Sequence, residues 1–279
     1  MTPRYGIAEW FGRPFERLSV KDRQKLARCA LAHEPAPSCP FQLGLPPCNK
    51  RGGVCSIKQG TKPPVITCPK RFDEGNLLPE WLAEIAGFPD VFIAPEVPFM
   101  RSPATGRPAG RIDLVVSDDI TAKTWFGLEI QAVYFSGQGM TADFELLLHN
   151  SADIPPPPTA VRRPDWRSSS AKRLMPQLQI KAPTLRRWST KLAVAVDRPF
   201  FNAIGGPTSA PSKDVNDGDI VWLIPRITDD YRLIAEHWEV LSLEDSCAKL
   251  LSAATIKREE FEVALRSKLQ RLCARKRFP

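Results

Sequence analysis

Hydrophobic positions along this chain recur at two periods. Leu78, Trp81, Leu82 and Ile85 keep helical spacing and predict a helix over Leu77–Ala86 with those side chains inward. Upstream, Ser19 and Asp22 form a capping-box pair that opens a helix running to about Ala32. Val91–Phe99, Arg111–Val116 and Trp125–Phe135 have the pattern of strands, and Lys191–Val196 and Ile220–Ile224 are apolar runs of strand length. Ala171–Trp188 is helical in part, with Pro176 and Pro183 expected to interrupt it. Ile154–Arg167 contains four consecutive prolines and predicts a loop or an exposed polyproline arm. Residues 202–218, rich in Gly, Pro, Ser and Asn, predict a surface loop. Two helices close the chain, the last with Phe261, Leu265, Leu269 and Leu272 on one stripe. The order α-β-β-β-α-β-β predicts an α/β fold, a central mixed β-sheet flanked by helices.

Residues 35–72 break the pattern. They hold few long apolar runs and many Pro, Gly and Cys, so they bury too little surface to order themselves. Cys39, Cys48, Cys55 and Cys68 all fall here. Four thiolates suit Zn²⁺ or a single iron in a tetrahedral, structural site that would supply the missing order. The spacing lacks paired C-x-x-C knuckles, and four unlinked thiols are the competing reading. Gly52-Gly53 permits a tight turn before Cys55. The organisation expected is an N-terminal cap over 1–34 with an apolar patch at Ile7, Trp10 and Phe11, a small four-cysteine metal-binding module over 35–72, and a core with C-terminal helices over 73–279.

Two of the strands each place an acid in an apolar run: Asp113 in Gly110–Val116 and Glu129 in Gly127–Val133. A lone carboxylate in such a run is unfavourable to bury unless a cation meets it. Period two puts Glu129 and Gln131 on one strand face. A turn over Ser117–Lys123 would fold the strands into a hairpin and bring Asp113 beside Glu129. Two carboxylates there suit a hard divalent cation such as Mg²⁺, with the Ile130 carbonyl as a further ligand. That set serves phosphodiester hydrolysis, in which the metal activates a water and stabilises developing charge. Gln131 can orient a water or a phosphate oxygen but carries no charge. The competing reading pairs Asp113 with Arg101 or Arg111 and leaves Glu129 at a wet sheet edge. Glu96, Glu80 and Glu84 are further carboxylates in reach of the site.

The net charge of +8 and pI of about 9.2 favour a polyanionic partner, because basic residues gather in Arg162–Arg173, Lys181–Arg187 and Arg266–Arg277. Seven cysteines, an odd count, argue against a disulfide framework, and Cys29, Cys247 and Cys273 fall in helical segments as ordinary thiols. No G-x-x-x-x-G-K-[ST] or G-x-G-x-x-G occurs, so nucleotide chemistry has no support. Three scattered histidines do not make a histidine-based nuclease site. No apolar run approaches the roughly 20 residues of a membrane span, and no secretion signal opens the chain, so a cytoplasmic location is expected.

Several landmarks in the same order resemble the NotI family of type II restriction endonucleases. They are Ile7–Gly12, Cys39-Pro40-Phe41 with Cys48, Gly53-Val54-Cys55 and Cys68-Pro69, the strand Gly127–Gln131, and Ala171-Lys172-Arg173 with Gln177–Lys181. The resemblance implies a PD-(D/E)XK nuclease fold with Asp113, Glu129 and Gln131 as the catalytic set, Gln replacing the usual lysine. It implies a rubredoxin-like iron site on Cys39, Cys48, Cys55 and Cys68 rather than zinc. It implies Mg²⁺-dependent cleavage of double-stranded DNA at a long GC-rich palindrome, giving 5′-phosphate and 3′-hydroxyl ends, by a symmetric homodimer. A host methyltransferase protecting the same site is implied by the class. Arg162, Arg163, Arg167, Lys172, Arg173, Arg186 and Arg187 are the DNA-binding residues expected, to phosphate or to guanine edges. Two rivals stay open: a repair or defence nuclease of the same fold with little sequence preference, and a metal-stabilised DNA-binding or regulatory protein without catalysis.

Overall fold

The computed structural model describes residues 4–251 and 257–273, with side chains described to residue 270. A small sheet comes first. Its strands are β1 (Tyr5–Trp10), β2 (Arg13–Pro14), β3 (Val54–Gln59) and β4 (Val65–Ile66), in the order β2-β1-β3-β4. β1 pairs antiparallel with β3, so the pairing crosses residue 34 and joins the expected cap and cysteine module in one layer. The boundary at 34 is therefore a division of sequence composition and not of structure. The strands escaped sequence reading because they are short and carry Glu9 and Ser56, both buried and bonded to each other at 2.6 Å.

Helix α1 (Val20–Ala30) starts at the expected capping box, in which Ser19 accepts from the Asp22 N–H while Asp22 accepts from the Ser19 N–H. Helix α2 (Leu77–Ala86) has the expected bounds. The main sheet follows: β5 (Phe92–Arg101), β6 (Pro108–Ser117), β7 (Trp125–Ile130), β10 (Lys191–Ala195), β11 (Ile220–Ile227) and β12 (Leu233–Leu241), in the order β12-β11-β10-β7-β6-β5. β10 runs parallel to both β7 and β11, and the other pairs are antiparallel, which gives the mixed sheet expected. Between β7 and β10 lie β8 (Phe135–Gly137), α3 (Thr141–His149), β9 (Arg162–Pro164), α4 (Trp166–Ser169) and α5 (Met175–Arg187). Helices α6 (Arg198–Ala203), α7 (Leu243–Leu251) and α8 (Arg258–Cys273) complete the chain.

α2 covers one face of the sheet, packing Leu78, Leu82 and Ala83 on Val116, Leu128 and Val221. α5 and α7 cover the other, where Leu178, Leu185 and Leu250 meet Leu192, Val194 and Trp222. The central strands β10 and β11 are buried almost throughout, which is why they are continuous apolar runs. β12 was missed for the opposite reason: Glu236, His237 and Glu239 interrupt its apolar pattern at the sheet edge.

Three expectations need correction. β7 ends at Ile130 rather than Phe135, because the chain then leaves the ladder, and the Val133 N–H donates to the Ile66 carbonyl of the small sheet at 2.8 Å. Pro176 and Pro183 do not break the helix. A π-turn over Ser170–Leu174 precedes Pro176, and burial of Leu178 and Leu185 on the sheet offsets the bond lost at Pro183. In α8 the stripe Phe261, Leu265 and Leu269 is exposed instead of packed, and the side chain of Leu272 lies outside the described residues.

Asp197 ties the two sheets together. Fully buried, it accepts the Ile66 N–H at 2.6 Å and caps α6 through the Phe200 N–H at 2.9 Å. Burial without a cation lifts its pKa to about 7, against the pull of those two N–H groups. A folded-state pKa above the unfolded value means that this group's stabilisation is complete at low pH. It is lost as pH rises through 7, by a few kcal/mol. Denaturant titrations from pH 4.5 to 8 are expected to show that decline, and an Asp197→Asn protein to lack this component of the slope. Equal slopes in the two proteins would remove Asp197 from the account.

Candidate active site

The β6–β7 hairpin builds the site. Its register pairs Leu114 with Leu128, which sets Asp113 across from Glu129 where β7 ends. Asp113 accepts the Ile130 N–H at 2.9 Å. Burial raises the Asp113 pKa, opposed by that bond and by the charge of Lys181. Glu129 is 5 % exposed, and burial first, then the charge of Asp113, lifts its pKa to about 7. The mutual effect is that of two carboxylates held close in a poorly solvated place.

Neither acid follows the competing reading, which paired Asp113 with an arginine and left Glu129 at a wet sheet edge. Arg111 faces Glu96 at 3.6 Å, and Glu129 meets Lys181 of α5 at 2.6 Å. In sequence Lys181 stands as the start of a basic cluster and the end of the landmark Gln177–Lys181, with no role at the carboxylates. It is 2 % exposed and occupies a core position between Leu178 and Leu185. The signal was there: Leu174, Leu178 and Leu185 keep helical spacing, and Lys181 completes their stripe. Gln131 lies just past β7, its N–H on the Ala195 carbonyl at 3.0 Å and its side-chain amide turned back to the Ala132 carbonyl.

Asp113 and Ile130 open on a pocket that Asp73, Glu96 and Lys70 also line. Burial raises the Asp73 pKa, and the charge of Asp113 adds to it. Glu80 and Glu84 are not among the residues lining it. Phe41, Gln42 and Leu43 form one wall, so the cysteine stretch shapes the entrance to the carboxylates.

The four expected cysteines line one small enclosed pocket beneath that wall. A turn joins the first two, with the Cys39 N–H on the Pro46 carbonyl at 2.7 Å and the Cys48 N–H on the Pro37 carbonyl at 2.9 Å. Sγ of Cys55 accepts the Gly12 N–H at 3.3 Å. Gly53 has φ +66°, and a Cβ there would sit 2.3 Å from the Phe11 ring, so the turn before Cys55 needs glycine. Burial pushes the thiols of Cys48, Cys55 and Cys68 up, and Lys50 acts against this at Cys68. Among the described residues, no three His, Cys, Asp or Glu side chains stand in an arrangement that could hold a metal ion. The cysteines share a pocket without closing to ligand geometry.

The basic residues divide. Arg163, Arg167, Lys172, Arg173, Arg186 and Arg187 are exposed. Arg162 is not: it is 2 % exposed, and its guanidinium binds the Gln138 and Gly139 carbonyls and the Asp143 carboxylate. This corrects its assignment to DNA, because its donors are committed inside the fold. Arg173 stacks on Tyr134 at 3.7 Å, close to the end of β7 that bears Glu129. Arg186 and Arg187 lie at the opposite end, where Trp188 packs on Trp125, because α5 runs back along the sheet before β10. The β5–β6 arm extends past the Glu129 end and exposes Arg101, Arg107 and Arg111, which sequence reading did not place on DNA.

No helix among the described residues is long and apolar enough to cross a membrane. A family model described as restriction endonuclease NotI matches residues 21–239, most of the chain and both sites above. No curated protein matches it.

Proposed function

The chain belongs to the NotI restriction endonuclease family and is a site-specific deoxyribonuclease acting on double-stranded DNA, and from that premise we propose that Asp113 and Glu129 form a Mg²⁺-dependent cleavage site of the PD-(D/E)XK kind. The observation that carries this reading is the buried Glu129 meeting the half-buried Asp113 at the end of one hairpin, with Asp113 lining an open pocket.

Asp113, Glu129 and the Ile130 carbonyl would hold the ion, a donor set of oxygens that suits Mg²⁺. When bound, Mg²⁺ supplies an acidified water and polarises the phosphoryl oxygen. The chain's own groups do the rest. The Ile130 N–H fixes the Asp113 carboxylate. Gln131 would orient a water or a phosphate oxygen, without adding charge, on turning its amide away from the Ala132 carbonyl. Water attacks phosphorus, the bond to the 3′-oxygen breaks, and the products are a 5′-phosphate and a 3′-hydroxyl. Arg101, Arg107 and Arg111 on the β5–β6 arm, with Arg163, Arg167, Lys172 and Arg173, form the DNA-facing basic surface. Arg186 and Arg187, at the far end of β7, would meet the flanking backbone. A GC-rich palindrome read by a two-fold homodimer in the cytoplasm, with a host methyltransferase guarding the same site, completes the reading.

The test is digestion of GC-rich genomic DNA with Mg²⁺ and with EDTA. Discrete Mg²⁺-dependent fragments are expected. A smear would favour a low-specificity nuclease, and intact DNA that is still bound in a gel shift would overturn catalysis.

For the cysteines, the reading is one Fe or Zn²⁺ per chain on Cys39, Cys48, Cys55 and Cys68, held after modest closure of their pocket. Four thiols in one cavity and the Gly12 N–H on Cys55 support it. Its role would be to order the wall that carries Phe41 and Leu43. Purified protein is expected to hold about one equivalent of metal. A Cys55→Ser protein should lose it and melt more than roughly 10 °C lower. A metal-free wild type, or a fully stable Cys55→Ser protein, would refute the site.

A further inference from the structure

Helix α5 buries Leu178, Ala182 and Leu185 against the sheet, and Lys181 lies in the same stripe. Its Nζ donates to Oε1 of Glu129 at 2.6 Å, and both side chains are almost fully buried. Among the described residues, Lys181 is the one ion-pair partner that Glu129 has. A buried ion pair is on average no better for stability than apolar side chains of the same volume. Stability alone therefore does not call for a lysine between two leucines. Just past strand β7 the position that could bring a charge is Gln131, and its amide turns back to the Ala132 carbonyl. The cation that meets this site arrives instead from the helix packed over it, and its charge reaches Asp113 as well.

We propose that Lys181 is a positioning residue of the cleavage site: it fixes Oε1 of Glu129 so that Oε2 is left to face the metal, and it supplies from α5 the positive charge that β7 lacks at Gln131. This rests on the nuclease reading given above. The geometry is direct. A single bond to Oε1 removes the rotation of the Glu129 carboxylate, so the ligand oxygen is in place before the metal arrives, and a fixed charge in a poorly solvated site acts without reorganisation.

The experiment uses the full chain and three variants. Lys181→Gln removes the charge and leaves a polar side chain one bond shorter. Lys181→Arg keeps the charge. Lys181→Gln with Gln131→Lys moves the charge to the strand. Each is measured for melting temperature, gel shift in EDTA, the Mg²⁺ concentration for half-maximal cleavage, and the single-turnover rate at saturating Mg²⁺. For Lys181→Gln the rate should fall by about 100-fold with DNA binding kept. Lys181→Arg should stay within about tenfold of wild type, and the charge-moved variant should regain about tenfold or more over Lys181→Gln. A Lys181→Gln protein that cuts at the wild-type rate overturns the proposal. So does a loss that tracks a fall in melting temperature of roughly 10 °C and is not repaired by either other variant, because the pair is then structural. A wild type that cuts no DNA overturns the nuclease reading, and the proposal with it.

Discussion

An Asp113→Asn protein is expected to bind DNA normally and to cut it on the order of 10³-fold more slowly. Asparagine keeps the shape, and its oxygen can still accept the Ile130 N–H. What goes is the charge that would hold the metal. A second effect has the opposite sign. The charge of Asp113 helps to raise the Glu129 pKa to about 7, so its removal lets Glu129 ionise at lower pH. The variant therefore loses activity although its other carboxylate becomes a better anion, which separates loss of a ligand from general disturbance of the site. Gel shifts in EDTA should show binding as tight as wild type or tighter, because one carboxylate fewer faces the phosphates. Cleavage at an undiminished rate would remove Asp113 from the site.

The second large effect concerns Arg71, whose side chain has no exposed surface. It binds Glu9 at 2.8 Å, Glu74 at 2.7 Å and the Tyr231 carbonyl at 2.8 Å, and stacks on Phe41 at 4.4 Å. One side chain thus joins the small sheet, the start of the α2 segment, the main sheet and the wall of the site. Arg71→Met leaves Glu9 buried with Ser56 as its remaining side-chain partner. Removing one member of a buried pair costs about 3–5 kcal/mol. For a chain of this size that is a fall in melting temperature of roughly 10 °C. Burial already raises the Glu9 pKa against the pull of Arg71, and without Arg71 it rises further. The folded state then holds the proton more tightly than the unfolded state, so the deficit should be smallest at low pH and grow as pH rises. Adding Glu9→Gln should recover part of the loss. Cleavage should suffer too, because Lys70 and Asp73, on either side of Arg71 in sequence, line the pocket onto which Asp113 opens. An Arg71→Met protein that melts like wild type would show that the pair contributes nothing net.

Periodicity located what depends on local pattern. α2 and the capping box of α1 lie where spacing and chemistry placed them, since three or four residues carry each signal. Asp113 and Glu129 were legible because an acid in an apolar strand is an anomaly that needs a partner. β12 and the small sheet were not, because their strands are short or carry charges whose partners are distant: Glu9 waits for Arg71, and Glu239 for Thr208 and His237. Among the basic residues, sequence could count charges but could not say which guanidinium faces solvent. Arg162 and Arg163 are neighbours, and a strand's alternation sends one inside and the other out.

The primary structure suffices for the mixed α/β architecture, the family, the carboxylate pair and the four clustered cysteines. Each is written in residue type and spacing, which survive without coordinates. It takes the packed molecule to show that Lys181 meets Glu129, that Arg162 is committed to Asp143, and that the cysteine stretch walls the pocket at Asp113. Those are contacts across 52, 19 and more than 60 positions of chain, made where α5 packs over β7, β9 returns to α3, and residues 41–43 meet the hairpin. Burial turns a surface-type residue into a fixed charge, and burial is a property of the packed molecule rather than of any segment of it.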